Sequence, residues 1–376
     1  MKPFHIVFTT IYHPTVLNDL HENIEKYGHL DNTKVWIVGD KKTPKSCSEL
    51  SIEIAKKGLE TIFLDISSQD EWGMRYSDFY SRIPYNNETR RNIGYLRALE
   101  DGCEIMISMD DDNFPTNHDF VGGHSQTGGK WEKGLISEKS GFHNLCEYLK
   151  LDPDRSVYPR GFPFRLRGIN NDPTLITKNN SIIGVTAGLW LEDPDIDATT
   201  WLNGKVTGVD YMGKQTQVLD QSTWSPVNTQ NTSVVRDLIP AFLCIPMGWD
   251  VPGGKIQRYG DIWGGYILQA VMKGSNYHVA FGHPIVDHKR NPHDYVDDLR
   301  FEYWGMILTD WLVDQFRSKF NPTSKLIVDR IDELVNSLED SIIPHLPDWC
   351  PKEVKDFMQW TCGNLQHWAD VCRQIS

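Results

Sequence analysis

The sequence has no long hydrophobic run and few cysteines. None of its apolar stretches approaches the ~20 residues that an α-helix needs to cross a bilayer, and the first residues, MKPFHIVF, turn polar too early for a signal peptide. The seven cysteines are widely spread and form no CxxC pair, which disfavours a disulfide framework. We therefore expect a soluble protein of a reducing, cytoplasmic compartment, and leave peripheral membrane association open.

Positive charge is also scarce. The 38 Lys and Arg residues stand against 51 Asp and Glu residues, which gives a formal net charge of −13. Proteins that bind nucleic acid neutralise phosphates with Lys and Arg, so extended contact with nucleic acid is disfavoured. A small phosphorylated ligand remains compatible with this balance, because a divalent cation and a few Arg side chains neutralise one diphosphate locally.

Apolar, β-branched runs alternate with helical patterns over the first hundred residues. Strands are predicted over 4–10, 34–38, 60–64 and 104–109, and helices over 16–27, 46–57 and 89–99. This alternation predicts βαβ units, and therefore an α/β fold of the Rossmann type with a mainly parallel sheet flanked by helices. Ligands of such sheets bind beyond the carboxyl ends of the strands, where Asp40 and the run Asp110–Asp112 are expected.

The remaining chain falls into two kinds of sequence. Residues 113–235 are rich in Gly, Asn, Asp, Thr and Pro, which predicts long loops of the kind that form lids or binding surfaces. From Phe301 onward apolar residues recur at helical spacing. We predict a main α/β domain over 1–300, which would carry the active site, and a helical extension over 301–376.

The strongest local feature is the apolar run IMISM followed by Asp110, Asp111 and Asp112. Three adjacent carboxylates repel one another unless a cation or strong donors lie nearby. Alternate side chains of a strand share a face, so Asp110 and Asp112 are placed to share one ligand. Oxygen ligands at this position suit Mg²⁺ or Mn²⁺. The alternative is a solvated acidic turn, and a phosphotransferase would use the same carboxylates.

A second feature concentrates arginine in an acidic chain. The segment RGFPFRLR carries Arg160, Arg165 and Arg167, and guanidinium forks match phosphate and carboxylate oxygens. If the segment is extended, Arg165 and Arg167 lie on one face, and the alternative is an exposed basic strand.

Two further segments supply candidate polar groups. RYGDIWGGY sets Asp261 among aromatic residues, where its carboxylate suits sugar hydroxyls or developing positive charge, or else caps a helix. DHKRN follows a predicted strand at 277–281, and its His288 is a candidate metal ligand. The alternative for His288 is a purely structural role.

Taken in order, these segments resemble the reversibly glycosylated polypeptides, or UDP-arabinopyranose mutases, a family with a GT-A-type glycosyltransferase fold. The resemblance covers about residues 105–295. It rests on SMDDDNF at 108–114, RGFPFRLR at 160–167, GLWL at 188–191 with PDIDA at 194–198, RYGDIWGGY at 258–266, and the region of His288.

The resemblance implies a role for most of these residues. Asp110, Asp111 and Asp112 would bind a divalent metal, Mn²⁺ or Mg²⁺, and the diphosphate of UDP, and Asp40 would lie near the nucleoside. Arg160 matches the arginine on which family members become reversibly glycosylated, and Arg167 matches a second important arginine. One departure is clear: Gly260 stands where the family usually has a second Asp.

These inferences together define the predicted site. Arg160 and Asp261 are the predicted catalytic residues, and Asp110, Asp112 and His288 the predicted metal ligands. The predicted nucleotide-sugar ligands are Asp40, Asp110, Asp111, Arg165 and Arg167.

Three functions remain open on the sequence alone. The first is a metal-dependent glycosyltransferase that uses a UDP-sugar and an acceptor of unknown chemistry. The second is a UDP-pentopyranose/furanose mutase with reversible autoglycosylation. The third is a non-catalytic sugar- or partner-binding protein on the same scaffold. Association into a homo-oligomer is also left open.

Overall fold

The computed structural model describes residues 2–169, 172–213 and 216–375. Its strands are β1 Phe4–Thr9, β2 Thr33–Val38, β3 Glu60–Leu64, β4 Ile105–Met109, β5 Asn113–Pro115, β6 Lys130–Trp131, β7 Leu135–Ser137, β8 Leu149–Asp152, β9 Thr174–Ile176, β10 Ser181–Glu192, β11 Thr207–Tyr211, β12 Gln217–Val218, β13 Asn231–Val235, β14 Trp249–Val251, β15 Gly254–Ile256 and β16 Tyr277–His288. Its α-helices are α1 Val16–Lys26, α2 Ser46–Lys56, α3 Ile66–Gly73, α4 Ser77–Tyr80, α5 Arg91–Glu100, α6 Phe120–His124, α7 Ala198–Leu202, α8 Gly260–Met272, α9 Tyr295–Lys319, α10 Ile327–Ser337 and α11 Lys352–Ile375. Short 3₁₀ turns and one π turn complete the helical elements: Met74–Tyr76, Glu88–Arg90, Leu145–Tyr148, Phe164–Leu166, Arg236–Ala241, Leu338–Ile342 and Ile343–His345.

The main sheet is mixed around a parallel core. Its strands lie in the order β3, β2, β1, β4, β13, β10, β16 and β12. The first four are parallel, as are β10 and β16, and β13 runs antiparallel to both of its neighbours. Strands β1, β2, β4, β10 and β16 therefore end at one edge, which confirms the predicted α/β fold with flanking helices.

Helix α5 approaches the sheet unusually closely, and this places the first residue of the site. A Cβ atom on Gly94 would lie 2.5 Å from Cγ1 of Val7 and 2.7 Å from Cγ2 of Val38, so a larger residue would push the helix off β1 and β2. Asn87 begins the preceding 3₁₀ turn by accepting the Thr89 N–H. Arg91 then starts α5 beside the end of β4.

The prediction of long loops over 113–235 is wrong in part. Strand β10, twelve residues long, and strand β13 lie in this stretch and pair in the middle of the sheet. The segment SIIGVTAGLWLE is apolar and β-branched enough for a central strand, and the polar residues around it concealed that pattern. Positions 170, 171, 214 and 215 lie outside the described residues.

The C-terminal helices pack on the sheet domain, as the apolar spacing predicts. Helix α9 buries Trp304, Leu308, Leu312 and Phe316, and its Thr309 accepts a hydrogen bond of 2.8 Å from the indole of Trp263 on α8. The helix begins at Tyr295, so it crosses the predicted domain boundary at residue 300, and that division stays a prediction. Across residues 2–169, 172–213 and 216–375, no helix has the length and apolarity that a membrane crossing demands.

Candidate active site

A cavity of about 270 Å³ opens at the carboxyl edge of the sheet. Its walls come from the segments that follow β4, β10, β15 and β16, together with the start of α5 and of α8. The lining side chains are strongly polar and carry both signs of charge, as in a site for a charged ligand. They include Arg91, Asp110, Asp112, Arg160, Asp195, Gln230, Arg258, Asp261, His288, Arg290 and His293.

A second cavity, also of about 270 Å³, continues from the first along the ends of β1, β2 and β4. Both cavities share Glu88, Arg91, Asp110 and Asp112. The second is lined in addition by residues 9–12, Asp40 and Asp111, among others. Because they share lining residues, the two cavities adjoin and together form one cleft.

Asp40 lines the second cavity, but its carboxylate is largely used by the backbone. Oδ1 accepts the Lys41 N–H at 2.7 Å, and Oδ2 accepts the Asn87 N–H at 3.3 Å. These bonds tie the end of β2 to the segment before α5. The residue thus shapes the floor of the cavity at the position predicted from the sequence.

The three adjacent aspartates point to different partners. Asp110 pairs with Arg91, with Nη2 and Oδ1 2.7 Å apart, and burial raises its pKa in spite of that arginine. Asp111 accepts a bond of 2.5 Å from the Thr10 hydroxyl, and burial raises its pKa to about 6. The triplet is therefore a set of partly buried carboxylates with distinct neighbours, and not a solvated turn.

Asp112 faces His288, and this pair is the feature most suited to a metal. Strand β5 pairs with the end of β16, so Nε2 of His288 lies 3.6 Å from Oδ2 of Asp112. Nδ1 of His288 lies 2.6 Å from the Asp193 carbonyl, which can only accept, so Nδ1 carries a hydrogen. Burial alone would raise the pKa of Asp112 and lower that of His288, but their mutual attraction outweighs it for both.

A divalent cation would find only part of its ligand set among these residues. No group of three or more His, Cys, Asp or Glu side chains within the described residues is arranged to bind a metal by itself. Asp112 and His288 nevertheless offer one carboxylate oxygen and one imidazole nitrogen on the wall of the cavity. That pair fits Mn²⁺ or Mg²⁺ if a substrate diphosphate and water complete the coordination.

Arg160 lies buried between two carboxylates, Asp195 and Asp261. Nε and Nη2 bind Asp195 at 2.9 and 3.1 Å, while Nη1 and Nη2 bind Asp261 at 3.2 and 2.9 Å. Nη1 also donates to the carbonyl of Arg258, so all five N–H donors have acceptors. Burial by itself lowers the pKa of Arg160, but the two carboxylates outweigh it and raise the pKa well above its usual value.

Arg165 and Arg167 lie outside both cavities. The expectation of an extended segment is wrong, because Phe164–Leu166 forms a 3₁₀ turn that separates the two side chains. Arg165 pairs with Asp314 on the exposed face of α9, and Arg167 pairs with the buried Asp197, which caps α7. Both arginines therefore fix the loop that carries Arg160.

Gly260, the departure from the family pattern, has no room for a side chain. A Cβ atom there would lie 2.3 Å from the carbonyl oxygen of Ile245. Gly264 and Gly265 are equally tight, since a Cβ atom on either would lie 2.0 Å from a backbone oxygen, that of Leu243 or Val227. Asp261 belongs to the first turn of α8, and the helix begins two residues earlier than a cap at Asp261 would require. The glycines of this motif serve close packing of α8.

Several cavity residues escaped the sequence-based prediction. Arg91 and Asp195 lie far along the chain from the groups they bind, so no local spacing indicates them. Asp195 does occur in the PDIDA segment, but only the resemblance singled that segment out. Arg258 has a φ of 62°, an uncommon left-handed conformation for a residue with a side chain. Nothing in the sequence indicates that conformation.

Comparisons with known proteins bear on this site. The profile of the reversibly glycosylated polypeptide family matches residues 19–361. UDP-arabinopyranose mutase 2 of Arabidopsis thaliana is 25% identical over 289 residues, which cover 72% of this chain and 74% of that protein. UDP-arabinopyranose mutase 3 of the same plant is 26% identical over 241 residues, which cover 63% and 60%. The match thus spans less than two thirds of the latter relative's length.

Among solved structures, the chain is similar to the mannosyltransferase PcManGT of Pyrobaculum calidifontis in complex with GDP-Man and Mn²⁺. The identity is 11%, the TM-score is 0.44, and the match covers 99% of this chain and 86% of that one. With the family profile matched along most of its length, the chain belongs to the reversibly glycosylated polypeptide family.

Proposed function

We propose that this chain is a metal-dependent glycosyltransferase that acts on a nucleotide-activated sugar, with a UDP-sugar as the donor. One observation carries the proposal: the Asp112–His288 pair and the cluster of Arg160, Asp195 and Asp261 line the same cavity. The first suits a cation with a diphosphate, and the second suits a sugar that develops positive charge. The names of the two mutases support uridine as the nucleoside.

Each part of the donor has a place in this arrangement. The nucleoside lies in the second cavity, against residues 9–12 and Asp40, and the diphosphate lies where the two cavities meet. Arg91 is fixed there by Asp110 and by Thr229, whose hydroxyl accepts a bond of 2.7 Å. A divalent cation bound by Asp112 and His288, with Asp110 and Asp111 nearby, would neutralise the departing diphosphate.

The carboxylates of Asp195 and Asp261 act on the sugar. As the bond to the leaving oxygen breaks, positive charge develops on the anomeric carbon and ring oxygen, and nearby carboxylates stabilise it. Arg160 fixes both carboxylates before the reaction, so little reorganisation is required. An acceptor hydroxyl then attacks the anomeric carbon and its proton passes to a carboxylate of the cavity.

A second candidate is the interconversion of donor ring forms, favoured by relatives that are named UDP-arabinopyranose mutases. In that reaction a ring hydroxyl of the sugar is recaptured by UDP, and no net UDP is released. A glycosylated Arg160 would have to give up one of its five hydrogen bonds and a proton. The raised pKa of Arg160 opposes that loss, so we place transfer to an outside acceptor first.

Incubation with Mn²⁺ and a panel of UDP-, GDP- and CMP-sugars tests the proposal. UDP release in proportion to acceptor glycosylation, read by mass spectrometry, supports transfer, whereas ring isomers seen by NMR without UDP release support the mutase. Asp112→Asn and His288→Gln should each weaken Mn²⁺-dependent UDP binding by about tenfold or more. Asp250→Asn, an exposed carboxylate outside the cavities, is the control.

Two outcomes contradict the proposal. Failure of every nucleotide sugar to bind in the presence of metal removes its basis. Tight UDP binding without turnover, unaffected by Asp110→Ala and Asp112→Ala, instead indicates a non-catalytic binding protein.

A further inference from the structure

One wall of the first cavity carries a cluster of Arg and His side chains that the donor chemistry above does not use. We call it the basic wall, and define it as Arg258, Arg290 and His293. Arg258 follows the β14–β15 hairpin, and the other two lie in the loop between β16 and α9. All three line the cavity, facing the side chains that would meet the sugar.

The basic wall rests on two acids from the first turns of α9. Asp298 pairs with all three side chains: Oδ1 lies 3.1 Å from Nη1 of Arg258, and Oδ2 lies 3.0 Å from Nδ1 of His293 and 3.7 Å from Nη2 of Arg290. Glu302 adds a second contact to Nε of Arg258 at 3.2 Å. Its other oxygen accepts the Ala198 N–H at 2.9 Å, so Glu302 is shared with the backbone.

The hydrogen-bond donors of the basic wall are incompletely matched. Asp298 and Glu302 serve two arginines and the His293 ring, and Glu302 is shared with the backbone. Nη1 of Arg290 is buried and has no hydrogen-bond acceptor among the described residues, which is costly for a charged donor. The Arg290 guanidinium also lies 5.4 Å from the Trp201 ring centroid, so its orientation is constrained. Such a fixed set of donors, with one buried N–H group unmatched, suits a planar or tetrahedral anion.

We propose that the basic wall binds a second anionic group, a carboxylate or a phosphate, on the substrate that shares the cavity with the donor sugar. The inference rests on the proposed function and names the chemical class of one substrate. The anion is carried either by the acceptor or by the sugar of the donor. Both sources present the same oxygens to Arg258, Arg290 and His293.

The donor's diphosphate is the competing occupant, and position argues against it. The second cavity, in which the nucleoside is placed, is lined by Arg91, Asp110 and Asp112 among others. None of the three residues of the basic wall lines it. Arg258 instead lies against Arg160, whose guanidinium donates to its carbonyl. Arg258 therefore borders the sugar and acceptor part of the cleft, whereas Arg290 also acts electrostatically on the Asp112–His288 pair.

The test compares matched pairs of neutral and anionic probes on the full chain with Mn²⁺. The first arm compares UDP-glucuronate with UDP-glucose and examines the donor sugar. The second arm adds glycerol 3-phosphate, glycerate or glycerol to the UDP complex and examines the acceptor. Binding is measured by isothermal titration calorimetry. We expect the anionic member to bind at least about tenfold more tightly in one of the two arms. Which arm responds identifies the source.

Variants separate the basic wall from the donor site. Arg258→Gln and His293→Gln should each remove most of the preference while UDP affinity changes by less than about twofold. His293→Gln leaves Glu302 undisturbed, so it remains informative if Arg258→Gln unfolds. Arg300→Gln, an exposed arginine on the same helix, is the matched control and should bind as the unaltered chain does.

Three results would overturn the inference. Equal binding of neutral and anionic probes in both arms, with UDP still bound, shows that the basic wall selects no anion. A preference that survives both variants places the anion elsewhere. Loss of UDP affinity in the variants assigns the basic wall to the diphosphate. If UDP itself does not bind, the proposed function fails first, and the inference fails with it.

Discussion

At Arg160 a single guanidinium joins two carboxylates that come from different parts of the chain. Asp195 follows β10 and Asp261 lies in α8, and like charges so close would repel without the arginine between them. Because these ion pairs are buried, removal of one partner leaves an uncompensated charge and destabilises the fold. Arg160 is thus placed to position the two acids, whatever reaction they support.

Substitution of Arg160 by lysine tests this role. An ammonium group cannot bind both carboxylates in forked geometry, so we expect kcat to fall by about tenfold or more with a smaller change in KM. The free energy of unfolding should fall by about 3 kcal/mol, measured by urea denaturation. Arg165→Lys, at an exposed ion pair, should change it by less than about 0.5 kcal/mol. An unaltered kcat in Arg160→Lys would contradict the positioning role.

Gly260 offers a test of why the family acid is missing here. Gly260→Asp should lower the free energy of unfolding by about 2 kcal/mol or more, because its Cβ meets the Ile245 carbonyl. Gly260→Ala should do the same, since the clash is one of size. Gly363→Ala in α11 meets only the far end of the Arg82 side chain and should be within about 1 kcal/mol of the unaltered chain. A stable, more active Gly260→Asp variant would contradict this explanation.

His124 predicts part of the pH dependence of stability. The ring lies between Ser233 and Asn231, and burial lowers its pKa to about 3. The ring stays neutral in the folded state, whereas in the unfolded state it becomes protonated near pH 6.5. Protonation therefore favours the unfolded state. The stability that the neutral ring contributes above pH 6.5 is lost as the pH falls towards 3. Between pH 7 and 5 we expect a loss of about 2 kcal/mol. His124→Gln should lack that loss in urea denaturation at both pH values, and an identical pH dependence would disprove the assignment.

Among the elements, α9 connects the C-terminal helices to the site. Its first turns supply Asp298 and Glu302 to the basic wall, and its later turns bury apolar side chains against α8. The predicted division of the chain at residue 300 falls between those two acids. The same helix therefore contributes to both predicted parts.

Truncation at residue 300 tests the division directly. Removal of 301–376 deletes Glu302 and exposes Trp263 and its neighbours on α8, so we expect a shortened chain with no cooperative unfolding transition by circular dichroism. A version that unfolds cooperatively and still binds UDP with Mn²⁺ would support 1–300 as an independent domain.

On the scale of the whole molecule, charge disfavours large polyanionic partners but not small anionic ligands. The net charge of −13 opposes approach to a polyanion, whereas the local cluster of cations in the cleft still accepts a small one. We expect no retention of duplex DNA in a mobility-shift assay at about 150 mM salt. A shifted complex that weakens with added salt would contradict this expectation.

The sequence predicted the fold, and the edge of the sheet at which its acids lie, for a physical reason. The parallel strands and the acids after them follow from local apolar runs, so Asp40 and Asp110–Asp112 lie at the expected edge. Strand β10 was missed because its neighbours in the chain are polar. Arg91 and the basic wall depend on side chains brought together over long separations. Arg165 was misplaced because one 3₁₀ turn redirects its side chain.

Arg258 contributes its carbonyl to Arg160 and its side chain to Asp298 and Glu302, so a single residue belongs both to the Arg160 cluster and to the basic wall. Occupancy on one side is then linked thermodynamically to occupancy on the other, and the coupling is reciprocal. In kinetic experiments the apparent affinity for the donor should depend on the concentration of the second substrate. Steady-state rates would then fit a scheme with interacting sites better than independent binding.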